Sequence, residues 1–167
     1  MKACEIFQKI SPALGTEIIR YLRTDLKDVY RATVTSLAQQ KKLRPEFVQK
    51  KPGDQQIAWI LDALRFKVSE AVGEQLLQVW LMKAESPMLV TFLDALDVPH
   101  DGTGGIDGDI PKDFDEAKAK AAVAALMEKH PAEKAAVYMH VFQMQQPGGW
   151  PSLAAAVAAE PRLTLGA

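Results

Sequence analysis

Apolar residues recur along this chain at the spacing of helices rather than strands. Leu89, Phe92, Leu93 and Leu96 fall at i, i+3, i+4 and i+7, and Ile57, Ile60, Leu61, Leu64 and Val68 repeat that stripe with one further turn. Both patterns predict amphipathic helices whose apolar face meets a core. The segment from Glu70 to Ala84 is apolar around most of its circumference, with only Glu70, Glu74 and Gln78 as a polar strip, so it predicts a central helix. Alanines at 117, 119, 121, 122, 124 and 125 make the helix expected from about Asp113 to Lys129 small-sided and suited to close packing. Tyr138, Val141 and Phe142 give the next helix its buried face, and Gln146-Pro147-Gly148-Gly149 ends it.

Helix starts are equally legible. Ser11-Pro12 and Ser86-Pro87 each place a capping hydroxyl before a proline, whose missing N–H costs nothing in the first turn. His130-Pro131 and Trp150-Pro151 predict two more starts, and Asp113 followed by Glu116 matches a capping box. These signals together predict an all-α protein, an irregular or superhelical bundle of about eight or nine short helices in a single domain spanning residues 1–167. Leu76, Leu77, Trp80, Phe92 and Leu93 are the expected centre of its core. The near-identity of Ile60-Leu-Asp-Ala-Leu64 and Phe92-Leu-Asp-Ala-Leu96 raises a helical repeat, but the flanks do not match.

One segment breaks the helical pattern. Residues 97–112 contain four of the ten glycines, together with His100, Asp101, Asp107 and Asp109. Alternating carboxylates with a glycine turn are what an oxygen cage for calcium requires, but the spacing fails. Counting from Asp107, the sixth position is Lys112 rather than glycine; counting from Asp101, it is Ile106. His100, Asp101, Asp107 and Asp109 therefore stand as weak metal candidates against a solvated connector, which is the expected state. Such a connector, empty, is expected to be mobile and to tolerate deletion of Gly102 to Gly105.

Charge adds a second feature that periodicity does not show. Residues 1–52 hold eleven Lys and Arg against five Asp and Glu, whereas residues 53–167 hold nine against sixteen, so a net charge of −1 conceals a basic half and an acidic half. The densest basic stretch comprises Lys41, Lys42, Arg44, Lys50 and Lys51. It offers phosphate contacts, with Phe47 as a stacking surface, in a helix-turn-helix-like order that lacks the usual turn glycine. The expected alternative is a basic connector with Leu43, Phe47 and Val48 tucked into the core.

Little else points to chemistry. Cys4 is the lone cysteine, expected as a small buried hydrophobe near Phe7, which excludes an internal disulfide and fits a reducing, cytoplasmic setting. No apolar run reaches membrane-spanning length. His130 and His140 lack partners at metal-ligand spacing, and no nucleophile elbow or phosphate-binding loop occurs, so neither catalytic residues nor cofactors are expected. The sequence thus predicts a non-catalytic helical module that binds another protein or itself, with Trp150 beside Gly148-Gly149 either an exposed anchor or, equally, a staple closing the last helix. Nucleic-acid binding through residues 41–51 is the alternative, and a metal-dependent enzyme using residues 97–112 the second.

Overall fold

Prolines and caps set the helix boundaries in the computed structural model, which describes residues 1–166. Among the described residues the fold is all-α, an α-helical bundle without strands, and the chain divides into two compact units, Met1–Trp80 and Leu81–Leu165.

The first unit contains α1 (Ala3–Lys9), α2 (Pro12–Asp25), α3 (Lys27–Gln40), α4 (Pro45–Gln49), α5 (Gly53–Leu64), a 3-10 turn (Lys67–Ser69) and most of α6 (Glu70–Ala84). As expected, α2 starts at Pro12, and the Ser11 hydroxyl accepts from the Leu14 amide at 3.1 Å. Helices α2, α3 and α5 pack against one another, and α4 packs on α3 and α5. Phe7, Ile18, Leu22, Leu37, Ile60 and Leu64 fill the interior. Leu76, Leu77 and Trp80 are buried on α6 as expected.

Two buried polar arrangements lock this unit. The Tyr30 hydroxyl donates to Gln56 Oε1 at 2.7 Å, while Gln56 Nε2 donates to the carbonyls of Gln49 and Lys51 at 3.0 and 2.8 Å. Every polar atom of the Gln56 amide is thereby satisfied, and the end of α4 is tied to α3 and α5. The Glu70 carboxylate accepts from the amides of Ala3 and Cys4 at 2.7 and 3.0 Å, satisfying the free first turn of α1. Burial pushes the Glu70 carboxyl up, but the hydrogen bonds from Cys4 and Ala3 outweigh it and hold the group below its ordinary value. Cys4 is buried as expected, and burial followed by the neighbouring Glu70 raises its thiol, the reverse of an activated nucleophile.

The second unit holds the last turn of α6, α7 (Ser86–Ala95), α8 (Glu116–Lys129), α9 (Ala132–Gln143), α10 (Pro151–Ala158) and a 3-10 turn (Pro161–Leu163). Helix α8 packs against α7 and α10, with Ala119 and Ala122 turned inward. Phe92 and Leu93 are buried, and Phe92 meets Tyr138 and Phe142 edge-on at 5.4 and 5.1 Å.

Three local expectations require correction. Helix α8 begins at Glu116, not Asp113: Asp115 caps it by accepting from the Lys118 amide at 3.0 Å. Asp113 serves α10 instead, accepting from the Ser152 amide and hydroxyl, because its carboxylate lies at the free N-terminal turn of that helix. Ser86 is the first residue of α7 rather than its cap, and its hydroxyl donates to the Thr103 carbonyl at 2.8 Å. Val68 does not continue the stripe of α5. The helix stops at Leu64, and the following 3-10 turn carries Val68 outward to 65% exposure.

Candidate functional site

Trp150, expected as an exposed anchor or a staple closing the last helix, is fully buried (0% exposed). Its indole N–H donates to the Pro111 carbonyl at 2.9 Å, and its ring stacks on Phe142 at 4.9 Å and lies 5.4 Å from Phe114. The carbonyl supplied by Pro111 removes the polar cost of burying an indole, so the residue serves the core of the second unit.

The 97–112 segment forms an ordered turn. Asp101 Oδ1 accepts from the Thr103 amide and hydroxyl, both at 2.8 Å, and from the Gly105 amide at 3.0 Å. These donors, the Thr103 amide foremost, hold the Asp101 carboxyl below its ordinary value. Across the turn, the Asp101 amide donates to the Gly105 carbonyl at 2.9 Å, and His100 pairs with Ile106 as an isolated antiparallel bridge. His100 Nδ1 accepts from the Gly102 amide at 3.0 Å, which leaves Nε2, 2.7 Å from Asp94 Oδ1, to carry the proton. Gly104 has a φ of +103°, and a Cβ there would lie 2.5 Å from Leu89 Cβ, so the turn is seated on α7 by a close approach only glycine permits.

These bonds explain where the metal candidates lie. His100 and Asp101 direct their polar atoms into the turn and to α7, whereas Asp107 and Asp109 are exposed. Among the described residues no three His, Cys, Asp or Glu side chains are grouped to hold a metal ion. Deleting Gly102 to Gly105 would remove the Asp101–Gly105 pairing and the seat on Leu89.

The basic stretch is displayed on the first unit. Helix α3 ends with Lys42 in the left-handed region (φ +54°), and the Leu43 amide donates to the Ala38 carbonyl at 2.8 Å, closing the helix without a glycine. Lys42, Arg44 and Lys50 are exposed, and none has an ion pair among the described residues. Helix α4 has five residues, too few to span a major groove as a recognition helix. Phe47 was expected in the core with Leu43 and Val48. Val48 is buried and Leu43 half-buried, but Phe47 stands 53% exposed with Lys51 Nζ 4.6 Å from its ring centre, because a helix this short can bury only one face.

A second aromatic and lysine group was not anticipated. Lys41 Nζ lies 5.1 Å from the ring centre of Phe66 and 5.9 Å from that of Trp59, with Asp62 at 3.9 Å. Phe66 is 52% exposed, Trp59 half-buried, and Val68 follows Phe66 by two residues, further out still. Helix α5 ends at Leu64, so Phe66 and Val68 lie on the outside of the connection to α6. The available signal was the pair Arg65-Phe66, an aromatic just beyond the last regular turn of the α5 stripe, where the helical period no longer assigns a face.

No family model matches this chain, and no curated protein or solved structure shows significant similarity to it. Among the described residues, no helix is long and apolar enough to cross a membrane.

Proposed function

We propose that the protein is a non-catalytic interaction module that binds another protein through the first unit, on the surface formed by Lys41, Trp59, Phe66 and Val68. The observation that carries this reading is the exposure of Phe66, one of two aromatic rings beneath a lysine, with Val68 exposed two residues further on. Exposed apolar side chains beside aromatic and cationic groups have the composition of a binding hot spot. Val68 favours a protein over a nucleic acid, since an aliphatic side chain gains from an apolar partner and offers no plane for a base. A cytoplasmic setting belongs to the same proposal and rests on the lone, buried Cys4.

The test is affinity capture from the cells that make the protein, comparing the parent with Phe66→Ser/Val68→Ser. The expected result is a protein retained by the parent and lost with the double variant. Identical retention by both would refute this surface.

A second reading has its own observation: Phe47 is exposed beside Lys51 and among cations that have no ion pair among the described residues, an arrangement suited to single-stranded nucleic acid. Fluorescence anisotropy with a labelled oligothymidine separates the two readings. The protein reading expects no submicromolar, salt-sensitive binding at physiological ionic strength; such binding, lost when Lys42, Lys50 and Lys51 are reversed to Glu, would replace it.

A further inference from the structure

We infer that the groove between α2 and α5 receives an amphipathic helix of the partner, apolar face inward, with carboxylates of that helix against Arg20 and Arg65; this rests on the protein-binding reading above. The two helices run antiparallel. The Arg23 guanidinium near the end of α2 lies against Gly53 at the start of α5, and Gly15 near the start of α2 lies against Leu61. Between them runs an open groove of about 540 Å³. Its lining follows one stripe of each helix, Thr16 and Arg20 on α2 and Ile57, Ala58 and Leu61 on α5, with Arg65 just past the end of α5, so the groove runs along the two helices. Such a channel, with an aliphatic floor, is what a third helix fills.

Charge decides what that helix carries. The groove also contains Asp54 and Asp62, but each has local compensation. Asp54 lies in the first turn of α5, where the helix dipole favours an anion, and Asp62 has Lys41 at 3.9 Å. Arg20 and Arg65 have no ion pair among the described residues, and Arg65 has only a long 3.4 Å bond from Nε to the Phe7 carbonyl. Arg20 sits one turn before Arg23 and so lies near the level of Ile57, which places the two arginines ~12 Å apart along α5 at 1.5 Å per residue. Two acidic residues about eight positions apart on one face of a helix meet that spacing. Asp62 lines the groove and also contacts Lys41 at 3.9 Å, so the groove borders the Lys41 surface at that one residue.

Panning a display library of random 16-residue peptides on the full chain tests this without assuming a partner. Recovered peptides should share aliphatic residues at i, i+3 or i+4 and i+7, with acidic residues about eight apart. Their affinity should fall roughly tenfold or more for Arg20→Glu/Arg65→Glu, the order expected on reversing interfacial charges, and return when the peptide acids are replaced by lysine. Ala58→Trp, which fills the floor without touching a charge, should give a similar loss. Peptides that lack the helical period, or that bind both variants unchanged, would overturn the inference. Peptides that respond only to Phe66→Ser/Val68→Ser would sink the groove while leaving the protein-binding surface standing. Failure to recover any peptide would also sink the groove, and the capture experiment would then judge the surface independently.

Discussion

In the second unit every aromatic side chain is buried: Phe92, Tyr138, Phe142 and Trp150 stack or meet edge-on around α7, α9 and the start of α10, and Phe114 packs tilted against Phe142 and Trp150. The first unit buries Phe7, Tyr30 and Trp80, yet leaves Phe47 and Phe66 in solvent and Trp59 half-covered, with lysines against all three rings. The same residue type therefore has two uses. Where a carbonyl such as that of Pro111 can satisfy an indole, the aromatic becomes core; where a helix is too short, as at Phe47, or has just ended, as at Phe66, the ring stays outside beside a lysine. The contrast separates residues that hold the fold from residues free to meet a partner.

The largest expected effect comes from the buried side. Trp150→Ala should cost about 3 to 5 kcal/mol, since it removes the ring stacked on Phe142 and opens a cavity. Chemical denaturation checks this, and an unchanged midpoint would mean that the aromatic cluster does not support the second unit. Gly104→Ala should cost roughly 1 to 3 kcal/mol, because the left-handed backbone and the approach to Leu89 both resist a Cβ. Gly102→Ala, also at positive φ but with open space around it, should cost less. Equal costs would show that the turn is not seated on α7.

Asp101→Ala gives a smaller effect with a characteristic pH dependence. The carboxyl is held below its ordinary value in the folded protein, so its contribution is complete above the unfolded pKa of about 3.9 and is lost as pH falls through the lower folded value. The variant should be less stable than the parent at neutral pH, and the gap should close in that acidic window. A gap that persists well below it would point to packing rather than the Thr103 and Gly105 hydrogen bonds.

Much of the fold was legible because its signals are local. The starts of α2, α7, α9 and α10 follow from prolines and caps, and the burial of Leu77, Trp80, Phe92 and Leu93 follows from period. Errors arose where a local rule had two solutions. Asp113 and Asp115 both suit a helix start, and only the position of α10 decides which caps α8. Trp150 beside two glycines fits a surface anchor or a closing staple, and the choice depends on the Pro111 carbonyl, 39 residues away in sequence. Phe66 and Val68 were missed for a different reason: extending the α5 stripe through a 3-10 turn points Val68 inward, whereas the tighter turn rotates it out.

Side chains that serve a partner rather than the fold can be removed without loss of stability, and urea denaturation of Phe66→Ser/Val68→Ser checks this for the proposed surface. The expected stability is within about 0.5 kcal/mol of the parent, as for surface substitutions that remove no capping bond, cavity lining or buried pair. A loss of about 2 kcal/mol or more would show that these side chains pack in the native protein and would contradict the claim.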